Sequence, residues 1–141
     1  IALRAFPFEH MEAMDGFRFV VDGVVPNGLT RVLSLASLGM TFKAVMASVD
    51  MILTKPGYGT IVEAVALGIP VVYVRRYNFP DEPPLVDHLH RYGRGAELSL
   101  ADFLQGRWNA AIEQAFARPL SSTPPPLSGA QDAAHILKDY V

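Results

Sequence analysis

The sequence predicts an α/β domain with a mostly parallel sheet flanked by helices. Short apolar segments rich in β-branched and aromatic residues alternate with short helical segments along the chain. Residues 50–74 read as a strand, a glycine-bearing turn, a helix and a second strand, which together form one βαβ unit. With 141 residues, half of them apolar, the chain is long enough for one domain with a single core.

The elements before this unit follow from local patterns. Residues 7–14 predict a helix, with Pro7 in its first turn and Asp15-Gly16 at its end. Residues 17–21 and 31–35 predict strands, and residues 1–3 predict the end of an earlier one. Residues 41–48 predict a helix capped by Thr41, with Val45 and Met46 packed inward.

Within the unit, residues 51–53 and 71–74 predict the strands, and residues 60–67 predict the helix between them. The segments that follow are a loop of mixed charge at 75–84, a helix at 85–92, an edge strand at 96–98 and helices at 99–104 and 108–117. The spacing of Trp108, Ile112 and Phe116 predicts that these three side chains line one face of the last of these helices.

Composition excludes several classes of protein. The formal net charge of −2 provides no basic field, so a nucleic-acid binder is not expected. The absence of cysteine excludes disulfides, thiolate metal sites and cysteine nucleophiles. No apolar run is long enough to span a bilayer, which predicts a cytoplasmic domain. Because the chain begins at Ile1 inside an apolar stretch, we expect it to be a fragment of a longer protein.

The turn at residues 55–60 is the first candidate site. It follows the carboxyl end of a strand, where open parallel sheets bind ligands, and the next helix presents unpaired backbone N–H groups. We expect an anion at residues 57–60, held with help from Lys55 and the Thr60 hydroxyl. A solvated lysine and a plain helix cap at Thr60 are the structural alternatives.

Glu63 lies one helical turn after Thr60 and therefore faces the same side as the turn. A carboxylate only accepts hydrogen bonds when ionised, which suits a pair of vicinal hydroxyls such as those of a ribose. Thr60 and Glu63 also have the spacing of a capping box, in which the glutamate would fold back onto the helix start. Both interpretations are open at this point.

These residues resemble the donor-binding segment in the C-terminal domain of GT-B glycosyltransferases. The resemblance rests on Lys-Pro-Gly-Tyr-Gly-Thr-x-x-Glu at 55–63, followed by Gly-Ile-Pro at 68–70 and a strand. The spacing is similar to that in the peptidoglycan N-acetylglucosamine transferase and in plant and animal UDP-sugar transferases. Residues 55–108 also resemble the glycosyltransferase-like region joined to plant arabinose kinases, through Gly-Tyr-Gly-Thr, Arg-Arg, Glu-Pro and a later tryptophan.

The resemblance implies a Rossmann-like domain, the C-terminal half of a GT-B fold, that lacks its first strand. On this basis we expect a nucleotide-sugar-binding domain at 1–118, a linker rich in proline and serine at 119–129 and a C-terminal helix at 130–141.

The resemblance also implies roles for individual residues. The nucleotide diphosphate would be held by Lys55, Gly57, Tyr58, Gly59 and Thr60, and the ribose by Glu63. Arg75, Arg76, Asp81 and Glu82 would contact the leaving diphosphate or the donor sugar, the structural alternative being an exposed loop of mixed charge. Many UDP-sugar transferases carry an Asp-Gln pair after the next strand, whereas this chain has Asn-Phe-Pro-Asp-Glu at 78–82, so the donor sugar is left open.

The predicted function is the donor-binding half of a glycosyltransferase that moves a sugar from a nucleotide diphosphate, a UDP-sugar, without a metal or other cofactor. The acceptor site and the general base would lie on an N-terminal domain of the same protein, so this chain alone would be inactive. Any peripheral membrane association would also run through that domain. Two alternatives are a non-catalytic nucleotide-sugar-binding module and a nucleotide-sugar epimerase of the same fold.

Two further expectations concern metals and assembly. His88 and His90 face opposite sides of a helix, and His10 and His135 are isolated, so no metal site is expected. An unpaired sheet edge left by the missing first strand would favour a homodimer.

Overall fold

The computed structural model describes residues 6–123, 125 and 128–140. The strands are β1 Phe19–Val21, β2 Val32–Ser34, β3 Ile52–Thr54, β4 Val71–Tyr73 and β5 Gly95–Glu97. The helices are α1 Phe8–Ala13, α2 Phe42–Met46, α3 Tyr58–Leu67, α4 Glu82–Tyr92, α5 Leu100–Leu104, α6 Asn109–Ala117 and α7 Gly129–Lys138. A 3-10 helix at Leu35–Leu38, which the sequence does not predict, follows β2.

The strands form two parallel sheets. In the first sheet β1 pairs with β2, and in the second the order is β3-β4-β5. The register places Ile52 beside Val71, and Val71 beside Gly95. Helix α3 connects β3 to β4 and helix α4 connects β4 to β5, as parallel neighbours require. The predicted α/β architecture, with parallel sheets flanked by helices, is confirmed.

Strand β4 is covered on both faces, which explains its uninterrupted apolar sequence. Val72 and Val74 enter a core cluster that includes residues of β1, β2, β5 and α6. Val71 and Tyr73 enter a second cluster with the inward faces of α3 and α4. The carboxyl end of β4 is therefore held from both sides.

An aromatic stack lies in the first cluster. The Trp108 ring lies parallel to that of Phe103 at 5.6 Å between centroids, and Phe19 of β1 meets Trp108 edge-on at the same distance. The indole N–H donates to the Phe103 carbonyl at 2.9 Å, so the buried polar group is paired. The stack joins the β1-β2 sheet to the segment between α5 and α6.

The prediction that Trp108, Ile112 and Phe116 line one face of α6 is wrong for Phe116. Phe116 is 44% exposed, whereas Ala115 is fully buried beside Ala111 and Ile112. The reason is close packing: α6 contacts β4 and β5, and small side chains at that contact let the helix backbone approach the sheet. Phe116, one position further along, is turned outward by the helical period.

The ends of the chain bear on three predictions. The strand expected at 1–3 lies outside the described residues, and the missing first strand stays a prediction. The part of 119–128 that the structure describes contains no helix or strand, and α7 begins at Gly129, one residue before its predicted start. Across the described ranges, no helix combines the length and apolar character needed to cross a membrane.

Candidate functional site

The candidate site lies where β3 and β4 end. These strands are neighbours, and the Val74 N–H donates to the Thr54 carbonyl at 2.9 Å just beyond the ladder. The turn at 55–57 leaves the end of β3, and the Thr54 hydroxyl donates to the Lys55 carbonyl at 3.0 Å at its first residue. The turn and the loop after β4 therefore start side by side at the carboxyl edge of the sheet.

At this edge, the first N–H groups of helix α3 have no hydrogen-bond partner among the residues that the structure describes. Gly57 is its N-cap, with extended φ and ψ of −147° and 142°, and no side chain caps it. The first helical hydrogen bond runs from the Ile61 N–H to the Gly57 carbonyl at 2.9 Å, so the N–H groups of 57–60 precede the ladder. Tyr58 and Gly59 are exposed. This arrangement is suited to bind an anion.

The structure corrects the predicted helix start. Helix α3 begins at Tyr58, two residues before the predicted start, so Thr60 is its third residue and not its cap. The capping-box interpretation of Glu63 is therefore wrong, because that motif requires Thr60 at the N-cap. Glu63 is half-buried and takes part in none of the ion pairs among the described residues. Its carboxylate lies one turn along the helix from Gly59 and Thr60, on the same side as the turn.

Glu82 is the centre of a buried charge cluster after β4. Its side chain is 0% exposed, and α4 begins at this residue, three positions before the predicted start. Oε1 accepts from the Arg75 Nε at 3.2 Å, and Oε2 from the Arg76 Nε at 3.3 Å. The Arg76 backbone N–H lies 3.0 Å from both carboxylate oxygens. The donor-sugar contact predicted for Glu82 stays a prediction, while in this structure both oxygens are occupied by the arginines.

Arg76 connects this cluster to the turn before α3. Its Nη2 donates to the Pro56 carbonyl at 2.7 Å, and its guanidinium lies 3.8 Å from the ring centroid of Phe79. The Arg76 side chain is 11% exposed. Three groups therefore fix its planar head: the carboxylate, the ring and the carbonyl of the turn.

Arg75 is the more open of the two arginines. Its side chain is 24% exposed, and its guanidinium lies 4.8 Å from the ring centroid of Tyr77. The hydrogen bond that Arg75 donates to Glu82 raises the pKa of Arg75, which therefore stays charged. The Tyr77 hydroxyl donates to Glu97 Oε1 at 2.5 Å, and this bond raises the pKa of Tyr77. Sequence reasoning missed Tyr77 and Glu97, because they are 20 residues apart and no local pattern links them.

The remaining predicted residues lie at the edges of this area. Asp81 is exposed at the N-cap position of α4, and Lys55 is half-buried in the turn. The prolines at 83 and 84 fall in the first turn of α4, where a missing N–H costs nothing. The structure thus places the turn, Arg76 and Glu82 in one connected group, and leaves Asp81 at the surface beside it.

The histidines do not contribute to this group. Among the residues that the structure describes, no three His, Cys, Asp or Glu side chains come together as metal ligands. His90 Nε2 lies 2.7 Å from the Tyr73 hydroxyl, and His90 Nδ1 lies 2.9 Å from Arg118 Nη1. Burial lowers the pKa of His90 and raises the pKa of Tyr73 to about 12. These side chains join α4 and β4 to the end of α6.

The chain is similar in sequence to a curated plant protein. The chain is 38% identical over 96 residues to L-arabinokinase of Arabidopsis thaliana, and the match spans 67% of this chain and 9% of that relative. The predicted resemblance to plant arabinose kinases is confirmed. No protein-family model matches the chain. Among solved structures, it is similar to the glycosyltransferase SnogD from Streptomyces nogalater, with 22% identity, a TM-score of 0.46, and coverage of 93% of this chain and 37% of that one.

Proposed function

We propose that this chain is the donor-binding half of a glycosyltransferase that moves a sugar from a nucleotide diphosphate, a UDP-sugar, to an acceptor held by another domain of the same protein. The observation that carries the proposal is the start of α3, whose N-cap Gly57 has no capping side chain, with Lys55 before it and Glu63 after it along the helix. The segment with this arrangement is the one that resembles the donor-binding segment of GT-B enzymes.

Each group of the proposed site meets one part of the donor. The N–H groups of 57–60 and the positive end of the helix dipole bind the diphosphate, and Lys55 adds a point charge. Glu63 accepts hydrogen bonds from the ribose hydroxyls. Asp81 is an exposed carboxylate for the hydroxyls of the donor sugar. The leaving diphosphate is stabilised by fixed dipoles and cations, so the proposed reaction requires no metal ion.

The first experiment measures binding by calorimetry. UDP is expected to bind. Glu63→Gln is expected to lower the affinity for UDP by about tenfold, which is the effect of losing one hydrogen bond to a charged group. The same variant should leave the affinity for inorganic pyrophosphate unchanged, because pyrophosphate has no ribose. The proposed function would be contradicted if UDP did not bind to the protein, or if Glu63→Gln bound UDP with unchanged affinity.

A second candidate function is a non-catalytic module that binds a nucleotide-sugar and regulates an attached domain. The similarity to 9% of the length of an L-arabinokinase favours it, because the matched segment is a small part of a protein named for another activity. Turnover separates the two candidates. Sustained release of UDP from UDP-sugars by the intact parent protein, in the presence of acceptors, would support the transferase, whereas binding without release would support the module.

We place the parent protein in the cytoplasm, where nucleotide-sugars of this kind would be available to it. Expression of the intact parent as a fluorescent fusion, followed by cell fractionation, tests this location, and its recovery with secreted or luminal markers would contradict it.

A further inference from the structure

A buried ion pair connects the end of β4 to the turn that precedes α3. Glu82 is fully buried, the Arg76 side chain is nearly so, and Arg76 Nη2 donates to the Pro56 carbonyl at 2.7 Å. Removing a carboxylate and a guanidinium from water is costly, and a buried pair is weak evidence of stabilisation by itself. Stabilisation of the fold therefore does not explain why Arg76 contacts the turn, and we consider its effect on the backbone of the turn.

The carbonyl that Arg76 contacts belongs to the same peptide group as the Gly57 N–H. This peptide is trans, so its C=O and N–H point in opposite directions. The bond to Arg76 holds the carbonyl on one side, and the Gly57 N–H must then point away from Arg76. Gly57 has no side chain to restrict its own backbone, so this orientation depends on an external contact.

The contact also changes the strength of the donor. A hydrogen bond from a cation to a carbonyl polarises the whole peptide group and makes its N–H a better donor. The Gly57 N–H is the first of the N–H groups that precede the helical ladder. A guanidinium at Pro56 therefore strengthens a donor at the start of α3 without approaching the ligand itself.

The charge of the cluster is not fully cancelled. Glu82 carries one negative charge and its two arginine partners carry two positive charges, so these three side chains together carry one positive charge. The Glu97 carboxylate also acts on Arg75, since it raises the pKa of that side chain. Glu82 thus holds both arginines in place without cancelling both of their charges.

We propose that Arg76 and Glu82 are positioning residues: the buried pair holds the Pro56–Gly57 peptide so that its N–H is presented to the diphosphate of the donor. The identity of the ligand rests on the proposed function, whereas the positioning of the peptide does not. Neither side chain needs to touch the ligand, since the pair acts through the backbone of the turn.

The positioning is tested first without any ligand. The chemical shift of the Gly57 amide is measured by NMR in ¹⁵N-labelled protein. The Arg76→Lys variant keeps the positive charge, but a lysine cannot donate to Glu82 and to the Pro56 carbonyl at the same time or lie flat on the Phe79 ring. The Gly57 amide proton is expected to move upfield in this variant, because the polarising bond to Pro56 is lost. Arg91→Lys is the matched control, since Arg91 is an exposed arginine of α4 whose guanidinium lies 5.9 Å from the Tyr92 ring centroid.

Binding is tested next with inorganic pyrophosphate and UDP by calorimetry. Arg76→Lys is expected to lower the affinity for both ligands by about tenfold, because the Gly57 N–H is no longer strengthened as a donor. Glu82→Gln is expected to weaken the binding of both ligands by a similar factor, and Arg91→Lys should leave both affinities unchanged. If Glu82→Gln fails to fold, the Arg76→Lys variant still decides the question, because its charge balance is that of the original protein.

The outcomes separate this inference from the proposed function. An upfield shift of the Gly57 amide together with weaker pyrophosphate binding supports the positioning role. A folded Arg76→Lys variant with an unchanged Gly57 amide overturns it, whether or not UDP binds. If neither pyrophosphate nor UDP binds the original protein, the proposed function fails, and the amide shift still decides whether Arg76 orients the peptide.

Discussion

Replacing Gly59 by alanine is expected to stabilise the chain and, at the same time, to weaken its binding of UDP. Gly59 is the second residue of α3, and a Cβ atom built on it has no atom of the described residues within 4 Å. Alanine therefore brings no clash, and it removes the excess backbone freedom of a helical glycine. For the stability of the helix alone, alanine would be better than glycine at this position. Glycine is favourable here if a phosphate must come close to the backbone.

The size of each effect follows from this position. Alanine is favoured over glycine by about 0.5–1 kcal/mol in a helix, which for a chain of this size raises the melting temperature by about 1–4 °C. In a helix the Cβ points toward the N-terminus, so the new methyl group lies over the N–H groups that precede the ladder. Losing one charge-assisted hydrogen bond to a displaced phosphate weakens binding by about 10–100-fold.

Differential scanning calorimetry and UDP titration together measure the two effects. Gly129→Ala is the matched control, because Gly129 is the first residue of α7 and its added Cβ also has no neighbour within 4 Å in the described part of the chain. This control should stabilise the chain without changing the affinity for UDP. The reasoning is refuted if Gly59→Ala melts below the original protein, or if it binds UDP equally well.

Two further predictions concern stability. The pKa of His90 is lowered from its ordinary value of 6.5 by burial and by the Arg118 cation, so the unfolded chain binds the proton more readily. This contribution to stability is complete above the unfolded-state pKa of 6.5 and is lost as the pH falls from there through the lower pKa of the folded state. Urea unfolding between about pH 8 and pH 5 should show the loss in the original protein and not in His90→Gln. Gly95→Ala should destabilise the chain by about 1–3 kcal/mol, since its Cβ would lie 2.6 Å from the Leu89 Cδ2 in a buried contact.

Controls for both predictions lie on α7. His135 is exposed there, so His135→Gln should retain the pH dependence of the original protein. Gly129→Ala adds the same methyl group in open space, so its midpoint in urea should not fall. A His90→Gln variant with unchanged pH dependence, or a Gly95→Ala variant as stable as the original, would contradict the respective prediction.

The βαβ unit could be predicted because its signals are local. An apolar run, a lysine-proline-glycine turn and a helix ended by Gly68 follow one another within 20 residues, and Gly68 has the left-handed φ of 69° that a helix end favours. The helix starts were predicted less well. Gly57 caps α3 through its backbone conformation alone, so Thr60, which has the side chain of a cap, misled the prediction.

The buried state of Glu82 could not be predicted from the sequence. Asp81 and Glu82 are adjacent carboxylates in a loop of mixed charge, yet one is exposed and the other fully buried. The difference in exposure between the two residues depends on the direction in which the chain enters α4. It also depends on the contacts that Arg75 and Arg76 make with Glu82 in the first turn of that helix. These are tertiary contacts, and charge pattern alone ranks the two acidic residues equally.

Trp108 is the one tryptophan of the chain, and its place between the rings of Phe103 and Phe19 has an optical consequence. Its fluorescence comes from a single indole shielded from water, so the whole emission spectrum reports one location. That location is the junction of the β1-β2 sheet with the turn before α6, since Phe19 belongs to β1. A red shift of the emission on partial denaturation therefore marks the moment when this sheet separates from the rest of the core.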